Sequence, residues 1–221
     1  MQLTVFNGSP RGRKSNSKII LDQFLSGFEA APGNSYELHY LNRLKESEQF
    51  VQAFGEAEIA ILAHPLYTDA MPAIVKDFIE QLEPFVGREC NPTLGFIVQS
   101  GFVAAVHSRY VERYWEKFSR RLGSRYLGTI IKGGCEPLHR GEKQFQKVLE
   151  GFYGLGKAFG ETGQFDEKMV EELAKPEKIP TLMRLVVQLV WKISGNGYFD
   201  DWLKENEAYE RSFARPYVEK T

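Results

Sequence analysis

The sequence has little cysteine, little histidine and almost no net charge. Its 221 residues include two cysteines and four histidines, which form neither a disulfide framework nor the spacing of a metal site. A formal net charge of −1 gives no electrostatic reason to expect nucleic acid as a partner. Because disulfides persist mainly in oxidising compartments, the scarcity of cysteine makes a reducing cytoplasm the expected location.

Long apolar runs are also missing. The first apolar run is only five residues long before a polar loop interrupts it, so we expect no secretion signal. The most apolar segment, from Thr181 to Ser194, is about fourteen residues long, whereas a bilayer span needs ~20. We therefore expect no membrane-spanning helix.

The two common phosphate-binding fingerprints are absent from a loop that otherwise suits an anion. Gln2 to Phe6 is predicted to be a buried strand, and an amphipathic helix is predicted to follow residue 17. The loop between them matches neither G-x-x-x-x-G-K-[ST] nor G-x-G-x-x-G. Unpaired N–H groups at the start of a helix attract anions. From this stretch alone, an anion site and an ordinary serine-rich turn with a helix cap remain open.

A second strand, loop and helix follow the same pattern. Ile59 to Ala63 is predicted to be a continuous apolar strand, and the loop from His64 to Pro72 comes directly after it. The next helix carries its apolar residues on one face, beginning with Ile74. We interpret His64 as a structural polar residue, and we favour a helix-capping role for Asp69 over proton transfer.

The two loops together resemble those of the flavodoxin-like NAD(P)H-dependent FMN reductases. The resemblance rests on Ser9-Pro10-Arg11 with Ser15-Asn16-Ser17, and on Pro65-Leu66-Tyr67-Thr68-Asp69 with Met71-Pro72. The most similar branch is that of the iron–sulfur flavoproteins, which hold a [4Fe–4S] cluster with a compact run of cysteines. Cys90 and Cys135 stand alone here, so we expect no cluster and no metal site.

The resemblance implies FMN as cofactor and NAD(P)H as electron donor, with no catalytic acid or base because the flavin carries the chemistry. The first loop would hold the FMN phosphate, the second would wrap the isoalloxazine, and a loop after the fourth strand would close the other side. Arg13 and Lys14 are left open, with a pyridine-nucleotide phosphate as one possibility. The implied cofactor-binding residues are Ser9, Pro10, Arg11, Ser15, Asn16, Ser17, Pro65, Leu66, Tyr67, Thr68, Asp69, Met71, Gln99, Ser100, Gly101 and Phe102.

Strands that alternate with helices predict an α/β fold. Five such strands indicate a flavodoxin-like, doubly wound parallel sheet in the order 2-1-3-4-5, with its ligand at the switch point between strands one and three. We expect a flavodoxin-like FMN-binding domain over residues 1–163 and a helical C-terminal extension over residues 164–221. We also expect the glycines among residues 151–160 to weaken the helix there, and Asp166 to cap a short helix that runs through Leu173.

The extension contains one helix that is apolar almost all round. From Thr181 to Ser194, only Arg184, Gln188 and Lys192 form a polar stripe. Such a helix is normally buried by its own domain or by a partner, so we predict a homodimer with this helix at the interface. A lid over the cofactor and a membrane-surface helix are the alternatives.

The predicted function is that of an FMN-dependent NAD(P)H oxidoreductase that passes electrons to a small acceptor. The acceptor could be a quinone, a nitro or azo compound, free flavin or an iron complex, and the choice between NADH and NADPH stays open. The alternative is a flavodoxin-type electron carrier, although such carriers are expected to be strongly acidic. A non-catalytic module that has lost the flavin is a third hypothesis, disfavoured by the intact loops.

Overall fold

The protein's computed structural model describes residues 1–141, 145–194 and 197–215. The chain divides into two compact units, Met1–Lys178 and Ile179–Thr221, and each is described by itself. The strands are β1 (Gln2–Asn7), β2 (Ser35–Tyr40), β3 (Ile59–Pro65), β4 (Thr93–Gln99) and β5 (Tyr126–Lys132). The α-helices of these described ranges are α1 (Asn16–Glu29), α2 (Ser47–Glu56), α3 (Ala73–Glu80), α4 (Arg109–Leu122), α5 (Gln146–Thr162), α6 (Glu167–Ala174), α7 (Thr181–Ser194) and α8 (Gly197–Glu205).

The sheet of the first unit is parallel throughout and has the order β2-β1-β3-β4-β5. The predicted flavodoxin-like order is therefore confirmed. Asn7 at the end of β1 pairs with Ala63, and Pro65 at the end of β3 pairs with Gln99. The carboxyl ends of the three central strands thus lie side by side at one edge.

Side chains alternate across the sheet and build two separate cores. Phe6, Leu62 and Phe96 point to the face that α2, α3 and α4 cover. Their neighbours Val5, Ile61 and Ile97 point to the face that α1 and α5 cover. This alternation follows from the period of two in a β-strand, and it explains why the strands read as continuous apolar runs.

Glycines bring α1 and α5 into unusually close contact. A Cβ atom on Gly156 would lie 1.9 Å from the carbonyl oxygen of Phe24, and one on Gly27 would lie 2.0 Å from that of Tyr153. The glycines of α5 therefore have a packing role beside the expected weakening of the helix. They lower helix propensity, but only residues without a Cβ allow the two backbones to approach this closely.

α6 closes the first unit. The Asp166 side chain accepts a hydrogen bond from Met169 N at 2.9 Å, so the predicted N-cap is confirmed. At the other end, Lys132 Nζ donates to the carbonyl of Leu173 at 3.0 Å, and Leu173 is buried. α6 therefore packs within the first unit, although the predicted boundary after residue 163 had grouped it with the extension. The functional division into a cofactor domain and an extension stays a prediction.

The second unit contains α7 and α8. α7 spans the predicted Thr181–Ser194, and its described side chains include several large exposed hydrophobic residues. The side chains of Leu182, Val187, Val190, Trp191 and Ile193, which the sequence assigned to the apolar surface, lie outside the described part. The exposed ones are Met183, Leu185, Val186 and Leu189.

Candidate functional site

Three loops meet at the carboxyl edge of the sheet. We call residues 8–15 the first loop, residues 66–72 the second loop and residues 100–108 the third loop; they follow β1, β3 and β4. Strand order reverses between β1 and β3, where Gly8 N donates to the carbonyl of Ala63 at 2.7 Å. Open parallel sheets bind their ligands at such a switch point.

The first loop is held together by its own polar groups. The Asn7 side chain accepts from Ser9 N at 3.0 Å, and Gly12 N donates to the carbonyl of Ser9 at 2.9 Å. Ser15 Oγ donates to the carbonyl of Gly12 at 2.6 Å. Ser9 and Ser15 are both buried. A short chain segment with this many internal bonds is preorganised, so binding a ligand there costs little ordering entropy.

The loop leads into a helix N-terminus that is open to an anion. Ser15 caps α1 by accepting a hydrogen bond from Lys18 N at 3.1 Å. Among the described residues, no acceptor lies within hydrogen-bond distance of the amides of Ser15, Asn16 and Ser17. The unpaired N–H groups and the helix dipole both favour negative charge at this point. The exposed guanidinium of Arg11 adds a full positive charge beside them.

The Asn16 side chain makes contacts that the sequence did not predict. Its Nδ2 donates to the carbonyl of Cys135 at 2.6 Å and more weakly to that of Glu136 at 3.4 Å. Its Oδ1 is buried and has no partner in the part of the chain that is described. A buried acceptor without a donor costs free energy, so a ligand hydroxyl or N–H is the group that fits it. The side chain therefore presents an acceptor, and it has no amide donor left for a phosphate.

The second loop is anchored at its start and exposed at its tip. Leu66 N donates to the carbonyl of Gln99 at 2.7 Å, and Leu66 is buried. Tyr67 and Ala70 exchange backbone hydrogen bonds around a tight turn in which Thr68 has a φ of 57°. Tyr67 is 47% exposed. The turn therefore places an aromatic side chain at the edge of the cleft, where a planar ligand could stack on it.

The predicted cap of the following helix is wrong. α3 begins at Ala73 and its N-cap is Pro72, with no side-chain hydrogen bond, so Asp69 does not cap it. The tight turn around Thr68 lies within the loop that the sequence pattern ends at Pro72, so Asp69 precedes the N-cap position. Asp69 is exposed at the tip of the second loop.

His64 is structural, as predicted. The side chain is fully buried, its Nδ1 lies 2.8 Å from the carbonyl oxygen of Pro65, and its Nε2 accepts from Trp115 Nε1 at 3.0 Å. Burial lowers the pKa of His64 from 6.5 to about 4, so the imidazole is neutral at pH 7.

The third loop closes the other side. Ser100 Oγ donates to the carbonyl of Phe102 at 3.1 Å, which tightens the turn after β4. The exposed Phe102 ring stacks on His107 at a centroid distance of 4.4 Å. Ser100 N donates to the carbonyl of Lys132, and Cys135 N donates to the carbonyl of Ser100 at 2.8 Å. The third loop is thus tied to the end of β5.

These loops surround one cleft with an empty volume of about 380 Å³, including its open mouth. Of the predicted site residues, Pro10, Ser17, Thr68, Asp69, Met71 and Phe102 are not in its lining. Glu136 lines it and was missed by sequence reasoning; its only signal was its position just after β5, at the same edge of the sheet. The lining residues are Ser9, Arg11, Ser15, Asn16, Pro65, Leu66, Tyr67, Gln99, Ser100, Gly101 and Glu136.

A larger apolar groove of about 880 Å³ lies between α3 and α4, around Leu82 and Phe118. It contains none of the strand ends and none of the unpaired amides, so we place the functional site at the three loops. Cys90 and Cys135 are free thiols, and burial raises the pKa of Cys135 to about 12. No group of three or more potential metal-ligating side chains is found in the described residues.

The sheet order and the cleft at its switch point define the class of this protein, which has a flavodoxin-like fold. The sequence profile of a family described as having a flavodoxin-like fold matches residues 1–84. The search of curated protein sequences found no match.

Similar solved structures come from several reductases. An NAD(P)H:quinone oxidoreductase from Methanothermobacter marburgensis is 16% identical with a TM-score of 0.57, over 76% of this chain and 98% of that one. An FMN-dependent NADH-azoreductase from Bacillus anthracis in complex with FMN is 14% identical with a TM-score of 0.55, over 73% and 98%. RosB with bound 8-demethyl-8-formylriboflavin-5′-phosphate is 12% identical with a TM-score of 0.57, over 89% and 88%. The resemblance predicted from the loop motifs is confirmed, and at these identities the neighbours establish the fold.

In the described helices, none is both long enough and apolar enough to cross a membrane.

Proposed function

We propose that the protein is an FMN-dependent NAD(P)H oxidoreductase. The observation that carries this proposal is the buried N-terminus of α1, where the amides of Ser15, Asn16 and Ser17 have no described acceptor. Ser15 and Asn16 line the same cleft as Tyr67. A ligand with an anionic end and a flat aromatic end suits such a cleft. The known reductases with this fold, which include an FMN complex, support the same reading.

The residues present fit FMN at each part of the molecule. The three unpaired amides and Arg11 suit the phosphate, because several hydrogen bonds and one full charge share its negative charge. Asn16 Oδ1, a buried acceptor, suits a ribityl hydroxyl that donates to it. Leu66 and Tyr67 on one side and Gly101 on the other suit the ring.

When bound, FMN would supply the redox chemistry that carries electrons from a nicotinamide to a second acceptor. This chain's residues do the binding and orienting. The tight first loop holds the anionic end in place, and the buried Leu66 keeps water from one side of the ring. The open mouth leaves room for donor and acceptor in turn, and the acceptor is a quinone, a nitro or azo compound, free flavin or an iron complex.

Flavin binding and reduction provide the test. Purified protein should release FMN, identified by its retention on a chromatography column, and anaerobic NADH or NADPH should bleach the bound flavin. Steady-state rates with a quinone should give parallel double-reciprocal lines, because one cleft serves both substrates in turn. Flavin that stays oxidised with both nicotinamides would favour the electron-carrier alternative. Colourless protein that takes up no added FMN would reject both.

We also propose a homodimer that uses α7. Its support is the exposure of Met183, Leu185, Val186 and Leu189 on one helix, which is more apolar surface than a monomer usually leaves uncovered. Light scattering on a sizing column should give twice the mass of the chain. The variant Leu185→Glu with Leu189→Glu should give the monomer mass, whereas Arg184→Glu, on the polar side of the same helix, should not. A monomer mass for the unmodified protein would contradict the dimer.

A cytoplasmic location is part of the same proposal. Two free cysteines are typical of a reducing compartment, where a nicotinamide-dependent enzyme also finds its electron donor.

A further inference from the structure

A buried polar pair lies directly beneath the second loop, in an otherwise apolar core. His64 ends the apolar stretch of β3, and Trp115 lies in the middle of α4. Both side chains have zero exposure. The indole of Trp115 also stacks on Phe96, with a centroid distance of 4.4 Å and an interplanar angle of 11°. The packing therefore holds the Trp115 N–H in a single direction, toward the imidazole.

The hydrogen-bond chemistry determines which tautomer His64 adopts. An indole N–H can only donate, so Nε2 of His64, 3.0 Å from Trp115 Nε1, must be the acceptor. A neutral imidazole with an unprotonated Nε2 carries its hydrogen on Nδ1. That nitrogen lies 2.8 Å from the carbonyl oxygen of Pro65 and therefore donates to it. Trp115 thus selects the tautomer that can hold Pro65.

This bond acts on the first peptide group of the second loop. The Pro65–Leu66 peptide has its carbonyl bound by His64, and its N–H donates to the carbonyl of Gln99 at 2.7 Å. A peptide unit is planar, so contacts at both ends fix its orientation. The directions in which Leu66 and Tyr67 leave the strand follow from that orientation.

The first loop passes over the same residue. A Cβ atom on Gly8 would lie 3.2 Å from His64 Cβ, so the backbone of the first loop rests against it. The pair therefore lies where the two loops of the cleft meet. Apolar residues could fill this volume without any need for polar partners, and such replacements are often neutral for stability.

We propose that His64 is a positioning residue for the ring-binding end of the cleft, with Trp115 selecting the imidazole tautomer that holds the Pro65–Leu66 peptide. This inference rests on the proposed function for the identity of the ligand. The contact itself concerns the protein without ligand, so it can be tested separately.

The experiment compares Trp115→Phe with Phe118→Leu. Phe keeps the stacking on Phe96 but removes the N–H donor, whereas Phe118, whose ring lies 5.8 Å from Trp115, takes part only in packing. In FMN-free protein, amide hydrogen exchange at Leu66 is measured relative to Ile61 in the centre of β3, which removes effects of global stability. The nitrogen chemical shifts of His64 report its tautomer.

Trp115→Phe should raise the exchange ratio of Leu66 to Ile61 about fivefold, the loss expected for one hydrogen bond, and Phe118→Leu should leave it unchanged. The dissociation constant of FMN should rise about fivefold in Trp115→Phe only. His64→Asn keeps an N–H donor at the same distance along the side chain as Nδ1 and should retain the wild-type exchange ratio. His64→Leu removes the donor and should not retain the wild-type exchange ratio.

Two outcomes would overturn the proposal. One is an Nε2–H tautomer in the unmodified protein. The other is an exchange ratio and an FMN affinity that change equally in Trp115→Phe and Phe118→Leu, because the pair would then only fill the core. Failure of the unmodified protein to bind FMN would reject the proposed function, while the tautomer and the exchange ratio would still decide the positioning role.

Discussion

The first and second loops border the same cleft but are built in opposite ways. Four of the eight residues of the first loop are buried, and its polar groups bond to one another through Asn7, Ser9 and Ser15. The second loop is exposed at its tip, where Thr68 and Asp69 lie in solvent. Its base, where it leaves β3, is held by the bonds to His64 and Gln99.

Under the proposed function, the difference corresponds to two tasks. An anion gains most from donors that are already in place, because reorganising them on binding would cost free energy. A site that receives two substrates in turn at a bound flat ring benefits from a loop whose tip can move while its base stays fixed. The predictions below test this contrast, beginning with the base of the second loop.

The largest expected effect is a loss of stability in acid through His64. Its pKa is about 4 in the folded protein and 6.5 as an ordinary value. Between these pH values the unfolded chain binds a proton that the folded chain does not, so stability falls as the pH drops from about 6.5 to 4. The full effect is on the order of 3 kcal/mol. Urea unfolding should show this pH dependence, and His64→Asn should lose that part of it. Identical pH profiles for both proteins would contradict the assignment.

The next effect concerns the contact between the first loop and α3. A Cβ atom on Gly8 would lie 2.2 Å from Val75 Cγ2, and Val75 is fully buried. Gly8→Ala should therefore destabilise the protein by about 2 kcal/mol through overpacking. Gly197→Ala is the matched control, because nothing lies within 4 Å of that position. Equal midpoints of thermal unfolding for the two variants would show that the first loop shifts to make room for the added methyl group, and would contradict the expected overpacking.

Loss of the α1 cap should have a smaller effect. Ser15→Ala removes the acceptor for Lys18 N and the donor to Gly12, and should cost about 1 kcal/mol of stability. Asp166→Ala removes the cap of α6, which is not part of the cleft, at a similar cost. Calorimetric titration with FMN should show weaker binding for Ser15→Ala only. Equal affinities would mean that the Ser15 hydroxyl does not shape the phosphate site, since this substitution leaves the backbone amides of the α1 terminus in place.

The smallest effect on stability is expected at the tip of the second loop. Tyr67 is 47% exposed, so Tyr67→Leu should change the unfolding free energy by less than about 0.5 kcal/mol. Loss of ring stacking should still weaken FMN binding by about 1 kcal/mol. Tyr110→Leu, an exposed tyrosine on α4, should change neither quantity. Unchanged FMN affinity in Tyr67→Leu would remove this residue from the site.

Sequence reasoning recovered the strands and their order because each strand is a continuous apolar run bounded by turn residues. It also identified Asp166 as a cap, since a cap acts within one helical turn. It failed at Asp69, which lies in the tight turn around Thr68, three residues before the N-cap at Pro72. The sequence pattern shows that a helix follows the loop, but it does not show which loop residue occupies the cap position.

Part of the cleft lining was predicted, but the contacts within it were not. Ser9, Arg11, Ser15 and Tyr67 were proposed from the loop motifs, and all of them line the cleft. Glu136 was missed because it follows β5 in a segment that contributes no motif. The hydrogen bond from the Asn16 side chain to the carbonyl of Cys135, 119 positions away, was not predicted either.

By itself, the sequence determined the parallel sheet, the two loops at its switch point and the serine that caps α1. Each of those features is signalled by a local pattern: apolar runs bounded by turns predict the strands and helices, the alternation of strands with helices predicts the parallel sheet, and a serine before a helix predicts the cap. Only the tertiary structure decided the direction of Asn16, the close crossing at Gly27 and Gly156, and the pairing of His64 with Trp115, 51 residues away. Each of these contacts joins chain segments that only the packed sheet and helices bring together, and no local sequence pattern predicts it.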